Sequence, residues 1–164
     1  MIKVLFAGEG GQGVQVMAEI LAKAAFGEQK ASTYIPNFGV EQRGGISLAF
    51  VIVNLKPIPY PKFEKADFLA VLSDRAFARV KQYIGPKTKI IFGPAVKTPK
   101  FKGLKLNSQG LPAKVWNIFV LAQVNQLGKI VAAESLIKTM DERFSQQFAQ
   151  NPKLRELDLK ALKT

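Results

Sequence analysis

The chain has 164 residues, 48% of them hydrophobic, enough for one well-filled core and short for two, so a single domain over 1–164 is expected. It contains neither cysteine nor histidine, which excludes thiolate-held iron-sulfur clusters, the usual structural zinc sites, disulfides and any imidazole-activated nucleophile. Twenty-four Lys and Arg against twelve Asp and Glu give +12, and +9 of it falls between Lys56 and Lys105, a field that attracts acidic protein, phosphorylated cofactors or nucleic acid.

Ile2 to Ala7 is a near-continuous apolar run, which predicts a strand covered on both faces, as in a parallel sheet. After GEGGQG at 8–13, Val14, Met17, Ala18, Leu21, Ala22 and Ala25 recur at spacings of three and four, so 14–26 reads as an amphipathic helix closed by Gly27. Lys30 to Ile35 reads as a second strand stopped by Pro36, completing a βαβ unit. PNFGVEQRGG at 36–45 lacks periodicity and reads as a long ordered loop, before a strand at 46–53. Pro57, Pro59 and Pro61 impose an extended connection to a strand at 68–72.

A short helix is expected at 74–84, a strand at 89–92, a basic turn at 99–103 and a short strand at 104–106. Pro112 starts an apolar helix to about Leu127, with Gly128 as its stop. Its apolar stretch, Val115 to Ala122, falls well below the roughly 18 residues needed to cross a bilayer. Ile137, Met140, Phe144 and Phe148 mark another helix from about Ala133, and the leucines after Asn151-Pro152 fit either a final helix or a docking arm. The order of elements predicts an α/β sandwich: one domain with a mostly parallel, Rossmann-like sheet and a helical C-terminal third. No secretion signal precedes the first strand, and a cytoplasmic chain is expected.

GEGGQG satisfies G-x-G-x-x-G through Gly8, Gly10 and Gly13: a tight turn, a close approach for ligand or backbone, and close helix–strand packing above amides that attract anions. An independent NAD(P)-binding domain is one reading. It also wants an acidic residue at the end of the second strand, where Tyr34, Ile35 and Pro36 stand. Gly11 and Gln12 are not part of that fingerprint; Gly11 strips the turn of side chains and Gln12 offers an amide with donor and acceptor. In the second loop Arg43 carries a planar fork of donors, with Glu41 two residues before it and Gly44-Gly45 after it. Arg43 could clamp a carboxylate or phosphate, or pair with Glu41 or an acidic neighbour. A nucleic-acid module is a further reading of the charge, but the aromatics in the basic stretch fall mostly at core positions and no nucleic-acid fingerprint occurs.

Together, GEGGQGV at 8–14 and PxxGxExRGG at 36–45, followed by Ser47, resemble the gamma subunit of the 2-oxoacid:ferredoxin oxidoreductases. The strand Ala66 to Ser73 and the apolar helix from Asn117 extend the likeness over most of the chain, with Leu121-Ala122 where the family carries Leu-Gly. The resemblance implies a subunit of an enzyme that decarboxylates a 2-oxoacid to acyl-coenzyme A and passes electrons to ferredoxin. This chain alone would be non-catalytic and hold no cofactor or metal. Thiamine diphosphate and iron-sulfur clusters would belong to the alpha, beta and delta chains, with the gamma chain helping to shape the coenzyme A side. The residues it marks as a docking or cofactor-binding loop are Gly8, Gly10, Gly11, Gln12, Gly13, Gly39, Glu41, Arg43, Gly44, Gly45 and Ser47. The two loops are expected side by side at the carboxyl ends of the first two strands, with Gln12 and Arg43 as polar contacts.

Overall fold

A computed structural model of the chain describes residues 1–39, 44–97 and 101–164. Six strands form one sheet: β1 (Ile2–Glu9), β2 (Ala31–Phe38), β3 (Ile46–Asn54), β4 (Phe68–Val71), β5 (Lys89–Phe92) and β6 (Leu104–Lys105), in the order β2-β3-β1-β4-β5-β6. β1, β4, β5 and β6 pair in parallel, while β3 runs antiparallel to both β1 and β2. Five strands therefore share one direction, in keeping with the mostly parallel sheet expected.

The βαβ unit is modified. β2 points along β1, as the crossover through α1 (Val14–Gly27) requires, but β3 lies between them as the return arm of a β2–β3 hairpin. That places β2 at the sheet edge. Pro36 consequently does not stop β2, which runs on to Phe38 with Pro36 opposite Ala49, since an edge strand tolerates a missing donor on its open side.

Side-chain alternation along β1 divides the core. Val4 and Phe6 face α1 and the C-terminal helices, while Leu5 and Ala7 face α2 (Asp74–Val80) and the proline-rich segment, all four fully buried. On the second face Phe50 meets Phe63 and Tyr83 edge-on, at 5.4 and 5.3 Å between ring centroids. The three-proline connection thus supplies a lid: Phe63 is carried over the sheet by a segment that forms no strand or helix.

The C-terminal third is helical: α3 (Trp116–Gly128), α4 (Ala133–Arg143), α5 (Ser145–Gln150) and α6 (Pro152–Lys163). Phe144 separates α4 from α5 where one helix was expected, and the open tail resolves into α6, with Leu154, Leu157, Leu159 and Leu162 packed against the core. Arg155 reaches back to Asp141 of α4 through two bonds of 2.7 and 2.8 Å. Helices α1 and α3 end at Gly27 and Gly128, where the sequence placed their stops. The left-handed residues are Gln29 and Lys129, not Gly27 and Gly128. Gly128 serves packing instead, because a Cβ there would stand 2.7 Å from Ile130 and 3.2 Å from the Phe68 ring. The basic turn at 99–103 lies partly outside the described residues. No helix of the described residues is long and apolar enough to cross a membrane.

Candidate functional site

The two glycine loops meet at the carboxyl end of β1, where β3 begins opposite it in register Glu9 to Ile46. Gly10 N–H donates to the Gly45 carbonyl at 2.9 Å, and a Cβ on Gly10 would come within 3.3 Å of the Gly44 nitrogen. The backbone junction is a tight fit for any side chain. Gly39 N–H donates to the Ile46 carbonyl at 2.8 Å and closes the hairpin from its other arm. Gly11 and Gly44 take left-handed φ values of +90° and +67°, and no described residue comes within 4 Å of a Cβ at either. A cleft of about 660 Å³ lies above, lined by residues 9–11, 13–16, 38, 39 and 44–47.

Gln12 turns inward. Its Oε1 accepts from the Glu9 N–H at 2.7 Å and its Nε2 donates to the Leu72 carbonyl at 3.2 Å, which ties the glycine turn to the end of β4. The amide read as an outward polar contact is thus spent inside the chain. The same brace explains Gly8, whose added Cβ would stand 2.8 Å from Gln12 Oε1 and 2.7 Å from Val14. Ser47 is buried, and its hydroxyl accepts from Gln15 Nε2 at 2.8 Å. Glu41 and Arg43 lie outside the described residues.

Two residues that the sequence reading passed over hold the site together. Gln15, on the first turn of α1, donates to Ser47 and to the Leu48 carbonyl at 2.9 Å while its Oε1 accepts from the Tyr34 hydroxyl at 2.7 Å, so one amide links α1, β2 and β3. Burial, with Glu19 adding to it, raises the Tyr34 hydroxyl above its ordinary range and keeps it a donor. Arg75, on the first turn of α2, donates to Glu9 Oε2 at 3.0 Å and to the Gly44 carbonyl at 3.3 Å, fastening both loops from the far side. A glutamine interrupting the apolar start of α1 was the available signal for the first; Arg75 had none, because its partners are 66 and 31 residues away. Gln15→Leu is expected to lower stability by about 2 kcal/mol in urea titration, because Ser47 and Tyr34 lose partners beneath the cleft.

A smaller crevice of about 340 Å³ opens on the other side of the glycine turn, lined by Gly11, Gln12, Leu72, Pro94, Lys114 and Asn117 among others. It lies between the carboxyl ends of β1 and β4, where the chain leaves toward α1 on one face and α2 on the other. Open α/β sheets take their ligands at such a reversal. The NAD(P) reading loses its geometry, since the end of β2 is separated from β1 by the whole width of β3, two strand spacings or about 10 Å.

The sequence pattern of the family described as pyruvate ferredoxin/flavodoxin oxidoreductase matches residues 3–163. The chain belongs to that family. Pyruvate synthase subunit PorC of Methanothermobacter marburgensis is 34% identical to it, over 88% of this chain and 87% of that one. The common gamma subunit of the pyruvate/ketoisovalerate oxidoreductases of Thermococcus kodakarensis is 32% identical over 88% of both. Among solved structures, the 2-oxoglutarate:ferredoxin oxidoreductase of Magnetococcus marinus, with 2-oxoglutarate, coenzyme A and succinyl-CoA bound, shares the fold. It superposes at a TM-score of 0.86 and 17% identity, over 99% of this chain and 30% of that one. In this chain the glycine junction occupies the same end of the sheet as the ligand-binding reversal of open α/β folds.

Proposed function

We propose that this chain is the gamma subunit of a 2-oxoacid:ferredoxin oxidoreductase, in which it presents main chain to a neighbouring subunit rather than performing chemistry itself. One observation carries this reading: the cleft wall at Gly11 and Gly44 is bare backbone, with no described residue within 4 Å of the place a Cβ would take. Polypeptide or ligand can approach such a wall to hydrogen-bond distance. The decarboxylation and electron transfer of the assembled enzyme belong to thiamine diphosphate and iron-sulfur clusters. This chain has no thiolate to hold a cluster. They fall to the alpha, beta and delta chains, with ferredoxin as the acceptor.

Coenzyme A is a second reading for the same wall. The first turn of α1 carries no side-chain cap and no acidic residue, so its amides remain available to a phosphate. Gly11 and Gly13 would bring backbone close to it, and Arg43 would add a fork of donors.

Gly11→Val and Arg43→Ala separate the two. Loss of co-purification with the other subunits supports docking at the cleft. Intact assembly with a KM for coenzyme A raised about tenfold or more supports the phosphate reading, since one lost charge-assisted contact is worth about 1.5–3 kcal/mol. Wild-type assembly together with wild-type, oxoacid-dependent ferredoxin reduction in both variants overturns both.

A further inference from the structure

The opposite end of the sheet carries a second surface. There β3 ends, β4 and β5 begin, and α1 and α3 deliver their C-termini, joined by a bond of 2.6 Å from Lys30 Nζ to the Ile130 carbonyl. Five large apolar side chains stand in water at this end: Leu55 is 83% exposed, Phe26 74%, Tyr60 65%, Met1 55% and Leu127 41%. Between them lie Lys56, Lys62, Lys65, Lys87 and Lys89, all exposed, against the single exposed acid Glu64 among the described residues of the 55–67 and 84–89 segments. Asp67 is turned inward, accepting the Lys3 N–H at 2.8 Å. Two concavities flank the proline-rich segment. One, of about 460 Å³, runs along the β2 edge between Phe26 and Ile58; the other, of about 890 Å³, is walled by Tyr60, Phe63, Lys62 and Tyr83.

We propose that this amino-terminal end is a docking surface for an acidic, apolar-studded face of a neighbouring protein subunit. The proposal rests on the subunit reading above and adds a second contact to it, at the far end of an eight-residue strand that spans about 25 Å. The charge names the partner's sign: clustered lysines repel one another until acidic groups come between them. The apolar groups name its class. Each of Leu55 and Phe26 gains about 1.5–3 kcal/mol only on entering a dry contact, which a polyanion such as duplex DNA does not provide. All five cations are lysines, point charges without the planar fork that favours phosphate. The apolar groups stand on loops and helix ends rather than along one amphipathic helix, which sets the surface apart from a membrane-lying face. Gripped at the glycine cleft and again here, the chain bridges two neighbours.

The test uses the assembled oxidoreductase, isolated through a tag on a partner subunit. Lys62→Glu/Lys87→Glu and, separately, Leu55→Asp are compared with the wild type and with Lys153→Glu/Lys160→Glu, which reverses charge on α6 instead. The expected result is that retention of this chain in about 0.15 M NaCl falls about tenfold in the first two and stays at wild-type level in the α6 variant. Equal retention in all variants that keep the wild-type circular dichroism overturns the proposal while leaving the subunit reading standing. Binding of the wild-type chain to random duplex DNA or to phosphatidylserine vesicles, abolished by the same variants, reassigns the surface and overturns it as well. A wild-type chain that co-purifies with no oxidoreductase subunit sinks the subunit reading and, with it, this one.

Discussion

Gly13→Val is expected to destabilise the chain by about 3–4 kcal/mol, whereas Gly11→Val costs about half as much, although the two glycines are two residues apart in one turn. Both hold left-handed backbone, with φ of +75° and +90°, where a β-branched residue is strained by about 1–2 kcal/mol. Their surroundings differ. A Cβ on Gly13 would press into the Asn117 side chain at the start of α3, with Cγ at 2.9 Å and Cβ at 3.2 Å. Overpacking of that kind adds about 1–3 kcal/mol unless α3 shifts. Gly11 has no described residue within 4 Å of its missing Cβ, so only the backbone term applies. Urea titration at neutral pH checks the pair. Equal losses would mean that Asn117 swings aside freely and that the α1–α3 contact carries little energy. The contrast also serves the functional test above, because Gly11→Val disturbs the cleft with the smaller cost to the fold.

How much of this was legible in the sequence depends on how local each feature is. The strand, turn and helix of β1–α1 followed from an apolar run, a glycine cluster and a three-four spacing, all within 27 residues. The meeting of the two glycine loops was expected from strands β1 and β2 lying side by side, whereas it arises because the second loop leads into β3, which pairs with β1 in register Glu9 to Ile46. Strand order did not follow: nothing within β3 announces that it inserts between β1 and β2, since pairing is a contest between distant segments. Gly27 and Gly128 did mark the helix ends, but the reason a glycine stands there is not local. Glycine marks either positive φ or crowding, and at Gly128 crowding by Ile130 and Phe68 applies while Lys129 makes the turn. Gln12 looked like an outward contact because its acceptor, the Leu72 carbonyl, lies 60 residues away and becomes a neighbour only when β4 pairs with β1. Leu121-Ala122 is buried throughout, as a small-for-small change beneath the sheet requires.

Between pH 4 and 7 the stability of the chain is expected to carry a component that falls as pH rises, and Asp158 is its source. This carboxyl sits on α6 with only 4% exposure, packed toward α3, which has no charged residue, and toward the 3-10 turn at Ala113–Val115. Burial pushes it up from an ordinary 3.8 to about 6, with Lys114 on that turn drawing it partly back. A raised carboxyl means that the folded chain holds its proton more tightly than the unfolded one. The stabilisation is therefore complete below pH 3.8 and is lost as pH climbs through about 6. Two units and a fraction correspond to about 3 kcal/mol at most. Glu19 and Glu28 work in the opposite sense. Burial opposes their ionisation, but bonds from Lys23 and Arg143 to the one, and from Lys30, Ser135 and the Ala132 N–H to the other, leave both below the ordinary range. The difference between wild type and Asp158→Asn isolates the one group: urea titrations across this range should converge near pH 4 and separate by about 2 kcal/mol in favour of the variant at pH 7, the buried amide retaining part of the desolvation cost. Parallel curves would mean that α6 lifts enough to hydrate the carboxylate. In that case α3, whose first turn braces Gly13 through Asn117, would lose the support of α6 at neutral pH, and the glycine cleft would loosen together with the tail.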